Sequence, residues 1–141
     1  MNQKNYTLIR LNDQIEWYNT KSNKNHRRYI WFKIIEVVAA AFIPFLAGVN
    51  APAILTASTG VLIVVLEGVQ NLFQYHHNWI TYRSTCENLK HEKYLYLAMA
   101  GPYLAIKNPE ALLAERIESL ISQEHSKWIA SREKLEHTKQ N

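Results

Sequence analysis

The chain has 141 residues and 16.5 kDa, with 48% hydrophobic residues, 20% charged residues and a mean hydropathy of −0.26. That length allows one domain, or a membrane segment with a small helical bundle, and excludes a multidomain enzyme. The net charge of +4 and pI near 9.2 fit nucleic acid, acidic lipid or a topology signal, and only the placement of the charges separates these.

The first 28 residues contain Leu8, Leu11, Ile15 and Tyr18 at steps of three and four, which predicts an amphipathic helix over residues 6 to 20. No apolar core of signal-peptide type follows the first basic residue, so no cleavage is expected. The polar run Asn19 to Asn25 reads as a break before the next element. Lys21, Lys24, Arg27 and Arg28 close this segment as a basic cluster suited to anionic lipid headgroups, each charge contributing about 1 kcal/mol.

From Val37 to Leu66 there are 30 residues without one charge. Gly48, Asn50 and Pro52 punctuate this stretch as a turn. The two arms are residues 29–49 and 53–73, each 21 residues long, joined by an outer turn at 50–52. Each is close to the roughly 20 residues that cross a bilayer. A proline inside the first arm, Pro44, removes a helix hydrogen bond and predicts a kink.

The interrupting charges Lys33, Glu36 and Glu67 all sit at the end away from the turn. With a 1.5 Å rise, Glu36 falls roughly 20 Å and Glu67 roughly 24 Å from the turn, near the far edge of a core about 30 Å thick. Tyr29, Trp31, Phe32, Phe73, Tyr75 and Trp79 fall where an interfacial aromatic belt belongs on that side. All 16 Lys and Arg residues face one side of the hairpin, and the turn has none. By the positive-inside rule this is a multi-pass protein of a plasma membrane with both termini cytoplasmic. The alternative is a soluble bundle whose two central helices are fully buried.

Beyond Gly68 no glycine or proline occurs until Gly101, so the second arm is expected to continue unbroken through residues 74–100 as one helix of about 70 Å from Ala53. Trp79, Tyr82, Cys86, Leu89, Lys93 and Tyr96 form its packing seam. Residues 101–141 hold a last helix signalled by Asn108, Pro109 and Glu110. Leu113, Ile117, Leu120, Ile121, Trp128 and Ile129 give it an apolar stripe, and the tail after Arg132 is expected to fray. The fold class is all-α: a two-helix transmembrane hairpin whose long helices extend into a cytosolic helical bundle.

Thr56, Gly60, Glu67, Asn71, Gln74 and Asn78 are spaced 4, 7, 4, 3 and 4 apart and share one helix face. One reading is close helix packing by Thr56, Ser58 and Gly60 with Glu67 paired to Lys33. The other is an oligomer in which this face lines an ion path, with Glu67 and Glu36 as charge-selecting groups at matched depth, 16 and 15 residues from Ala51. Arg83 and Glu87 read as an i, i+4 ion pair. Cys86 is the single cysteine, and six histidines show no metal-ligand spacing, so neither a disulfide, a metal site nor a cofactor is expected. No phosphate-binding glycine loop or nucleophile motif occurs, which argues against an enzyme.

The runs QIEWYNTKSNKNHRRY, LEGVQNLFQYHHNWITYRSTCENLKHEKYLYLAMAGPY and ERIESLISQEHSKW resemble the SLATT group of bacterial two-transmembrane proteins, including a branch known as a domain of unknown function. The most specific portion is Glu67-Gly68-x-Gln70 followed by Trp79, Tyr82-Arg83, Glu87, Glu92 and Tyr94. The resemblance implies a membrane protein with cytosolic helices, and related members are proposed to be pore-forming effectors of bacterial conflict systems. The expected function is an oligomeric inner-membrane ion pore in contact with membrane lipids, without nucleic acid, whose trigger comes from a regulatory partner, from a ligand of the cytosolic bundle or from nothing at all. The alternative is a membrane-anchored structural or adaptor module whose cytosolic helices bind a partner protein.

Overall fold

A computed structural model describes residues 3–139. The described residues are all-α: α1 (Gln3–Gly48), α2 (Ala53–Phe73), α3 (Tyr75–Leu97), a 3-10 turn (Gly101–Tyr103) and α4 (Pro109–Lys139). Two compact units divide the chain, one formed by Met1–Thr20 with Thr81–Asn141 and the other by Lys21–Ile80.

α1 is one helix where the sequence suggested two. The run Asn19 to Asn25 stays helical because each polar residue there costs only tenths of a kcal/mol of helix propensity, and local partners offset that. Asn25 Nδ2 donates to Lys21 O (2.9 Å), and buried Ser22 donates from Oγ to Trp79 O (3.5 Å). Pro44 also lies inside α1, which continues to Gly48. The proline removes one N–H donor without ending the helix.

The end of α1 is built by backbone hydrogen bonds. Ala51 N donates to Leu46 O (2.9 Å) and Asn50 N to Ala47 O (3.2 Å), with Asn50 at φ 53°. This pairing is a Schellman motif, and asparagine is the residue after glycine that best tolerates its left-handed position. Pro52 then leads into α2.

The expected unbroken helix from Ala53 to Ala100 is not formed. Gln74, at φ 50° and ψ 39°, separates α2 from α3. Its own N–H still reaches Gln70 O (2.8 Å), and Asn78 Nδ2 donates to Phe73 O (3.1 Å). Side-chain and backbone donors thus reconnect the ends across a break that no glycine or proline marks. α3 likewise ends before Gly101. Met99 takes φ 49°, with Ala100 N donating to Leu95 O (3.0 Å) and Met99 N to Tyr96 O (3.1 Å).

α4 begins as its sequence indicates: Asn108 Oδ1 accepts the Ala111 N–H (3.3 Å), and Pro109 opens the helix. The helix persists to Lys139 instead of fraying after Arg132. Ile129 is exposed, so the apolar stripe of α4 does not extend to it, and the side chain of Trp128 lies outside the described residues.

The unit of Met1–Thr20 with Thr81–Asn141 has a conventional core. Leu11 and Tyr18 from α1, Cys86, Leu89 and Tyr96 from α3, Tyr103 from the 3-10 turn, and Leu113 and Ile117 from α4 are buried together. Steps of three and four on each helix produce these faces. In the unit Lys21–Ile80, by contrast, most apolar side chains face outward: Val37, Phe45, Ile54, Val61, Val64 and Leu72 are each more than half exposed. Adding a Cβ at Gly60 would meet nothing within 4 Å, so Gly60 is not a close-packing contact within this chain.

Leu89 is fully buried at the centre of its cluster. Leu89→Ala is expected to destabilise that unit by about 2–5 kcal/mol, the cost of a cavity at a filled core position. Hydrogen exchange of the α3 and α4 amides checks this.

Candidate functional site

The charged residues of the hairpin meet at its root. Lys33 lies one turn before Glu36 on α1, and α2 brings Glu67 to the same ammonium. Lys33 Nζ donates to Glu36 Oε2 (2.9 Å) and to Glu67 Oε2 (2.8 Å). Gln70, one turn beyond Glu67, donates from Nε2 to Glu36 Oε1. Glu36 is 8% exposed and Gln70 7%. A buried carboxylate is costly unless paired and hydrogen-bonded, and Glu36 has both kinds of partner on its two oxygens. The side chain of Glu67 remains 48% exposed. The cluster holds one positive and two negative groups.

Next to it lies a layer of rings. Phe32 stacks on Tyr75 (5.7 Å), Tyr75 on Phe73 (5.6 Å), Tyr29 packs on His76 (4.7 Å) and His26 on Trp79 (4.3 Å). The Arg28 guanidinium sits 5.8 Å from the centre of the Tyr75 ring. Such contacts between a cation and an aromatic face are attractive. Trp31 points outward instead, 61% exposed.

The structure brings together only part of the face marked by spacing. Thr56 and Gly60 are half-buried, and Glu67 and Asn71 are exposed. Gln74 occupies the helix break and Asn78 caps it, so the single straight face ends at Asn71. Lys24, Arg27 and Arg28 are exposed, as is Lys21. Arg83 and Glu87 form an ion pair at 2.8 Å on α3, extended by Lys90 at 3.1 Å from the same carboxylate. Among the described residues no group of three or more His, Cys, Asp or Glu is arranged for a metal ion.

Gln70 was missed as a member of the root cluster, although its place three residues after Glu67 put it on a neighbouring face of the helix. Two further networks in the other unit were also missed. Glu92, 4% exposed, accepts from Tyr103 Oη (2.5 Å) and Arg116 Nε (2.5 Å). Tyr18 Oη donates to Glu124 Oε2 (3.2 Å). These partners lie 11, 24 and 106 residues apart, beyond any local spacing rule.

The fold and site define an all-α protein with two segments long and apolar enough to cross a membrane, each only 6% buried inside the protein. The family described as Protein of unknown function (DUF4231) matches residues 13–111, and the chain belongs to that family. No curated protein and no solved structure matches it.

Removing Lys33 leaves two carboxylates facing each other, one of them buried. Lys33→Met is expected to lower the unfolding midpoint in a membrane mimic, and Lys33→Met/Glu36→Gln to recover most of the loss. An additive or worse double variant contradicts the coupling.

Burial and the neighbouring Glu124 carboxylate push the Tyr18 phenol well above its ordinary value of 10. Burial and Glu92 do the same to Tyr103. Both raised groups hold their protons in the fold when the unfolded chain releases them. Their stabilising contribution is therefore intact below pH 10 and declines as pH rises above it. An ultraviolet phenolate titration is expected to show these two groups ionising only with unfolding.

Proposed function

We propose that the chain is a two-helix hairpin of a bacterial inner membrane, with both termini cytoplasmic, that assembles into an oligomer and conducts ions. The carrying observation is the surface of the arms. A soluble bundle would bury its two most apolar segments, and here 6% of each is buried. Lipid tails or other copies are the surroundings that such a surface requires. The hydroxyls on α2 fit that setting, since Ser58 Oγ donates to Ile54 O (2.7 Å) and Thr59 Oγ1 to Leu55 O (2.9 Å). Polar groups in hydrocarbon need such internal partners.

Glu67 and Asn71 break the apolar surface of α2 at the root of the hairpin. An outward carboxylate at membrane depth is costly against lipid and favours a neighbouring copy or water. Assembly with this face inward places one excess negative charge per subunit around the axis, an arrangement that favours cations over anions. The exposed basic residues Lys24, Arg27 and Arg28 then lie at the cytoplasmic headgroups, consistent with the positive-inside rule. The sequence resemblance to the SLATT group, some of whose members are proposed to form pores, supports the same reading.

A second reading, a membrane-anchored adaptor, is favoured by one observation. Glu36 and Asn78 spend side-chain polar groups within the chain, and Gln74 lies at the helix break, which leaves a short polar face for a path. Planar-bilayer recording on the purified oligomer separates the two. The conducting reading expects a cation-preferring current whose permeability ratio moves toward unity in Glu67→Gln. A stable oligomer that passes no current in either form supports the adaptor instead.

A further inference from the structure

A cavity of about 570 Å³ lies within the unit Met1–Thr20 with Thr81–Asn141. Its volume falls in the range of small-molecule sites, roughly 300–1,000 Å³. Three of its walls are aromatic. Trp17 meets Tyr18 edge-on (4.9 Å, 86°) and Tyr82 edge-on (5.9 Å, 78°), and Tyr18 is tilted against Tyr82 (6.1 Å, 52°). Rings set at steep angles to one another present faces and edges to a common space. Ile121 adds an aliphatic wall.

Besides Gln14, His125 and the two phenols, the polar groups of the cavity are acidic. Asp13 and Glu124 both line it, and no lysine or arginine does. Glu124 is 8% exposed, with Tyr18 Oη donating to Oε2 and His125 Nδ1 at 3.8 Å from the same oxygen. Burial first and the neighbouring Glu124 second raise the Tyr82 phenol. A nearly buried carboxylate in an aromatic recess is stabilised by a cation, and the ring faces attract the same charge. A phosphate or other anion meets the repulsion of two carboxylates there.

We infer that the cavity among Trp17, Tyr18, Tyr82, Ile121 and Glu124 binds an organic cation, a primary ammonium on a compact apolar body. The ammonium sits on the Glu124 carboxylate, the body lies against Trp17, Tyr82 and Ile121, and Asp13 adds its charge. The same chemistry is carried by a free amine and by a lysine side chain of another protein chain. This site does not depend on whether the hairpin conducts.

The test is calorimetry on the full chain in lipid nanodiscs, with empty discs subtracted. The probes are benzylammonium, the neutral benzyl alcohol of similar shape, and the peptide acetyl-Gly-Lys-Gly-amide. Saturable binding of either cation is expected, with benzyl alcohol and the Glu124→Gln variant each weaker by about ten-fold or more, since a charge-assisted hydrogen bond is lost. Trp17→Leu, on the half-exposed rim, is expected to weaken both cations without disturbing the core, which circular dichroism checks. Tighter binding of benzylammonium identifies a free amine as the source, and tighter binding of the peptide identifies a protein chain. The inference is overturned by no saturation with either cation, or by affinities unchanged in both Glu124→Gln and Trp17→Leu.

Discussion

Two carboxylates from two helices share one ammonium, and the register of the hairpin depends on that arrangement. Lys33 reaches both Glu36 and Glu67, and Gln70 fills the remaining oxygen of Glu36. At the opposite end, the bonds of Ala51 to Leu46 and Asn50 to Ala47 fix where α1 stops. Between these pins the arms share little buried surface, with Ala39 buried in α1. Apolar contacts between smooth helical faces tolerate sliding, whereas an ion triad does not, because moving one partner strands a buried charge. The polar cluster thus supplies positional specificity that the apolar arms lack.

The same two helices present most of their apolar side chains outward, while the residues from Thr81 onward build a filled core with the start of α1. One chain therefore contains two opposite solutions to the hydrophobic effect. In one unit the steps of three and four are satisfied internally by Leu11, Leu89, Leu113 and Ile117. In the other, apolar residues surround the helices on nearly every side, and no arrangement of two helices covers such surfaces.

Local rules read much of this correctly. The start of α2 after Pro52, the Asn108 cap and the seam of Cys86, Leu89 and Tyr96 follow from spacing and turn chemistry. They failed where tertiary contacts outweighed local preference. The asparagine-rich run did not break α1, because Ser22 and Asn25 found partners. The break at Gln74 carries no glycine or proline, so composition gave no sign of it. A left-handed residue of this kind costs on the order of 1–3 kcal/mol and persists only where its surroundings enforce it.

Pairings across the chain were legible only in part. The matched depth of Glu36 and Glu67 could be counted from the turn, because helical rise is constant. That Lys33 binds both, and that Gln70 joins them, depends on how the arms rotate about their axes. Likewise Trp17 and Tyr82 could be assigned to helices, but their meeting with Glu124 depends on how α1, α3 and α4 pack. By itself the sequence determined the all-α class, the apolar arms, their turn and the absence of charge from Val37 to Leu66, because these are sums over neighbouring residues. The tertiary structure alone decided which charges are consumed in pairs, which face of α2 stays polar and where a cavity opens. Those features arise from rotations and registers between elements, to which a linear pattern of residues is blind.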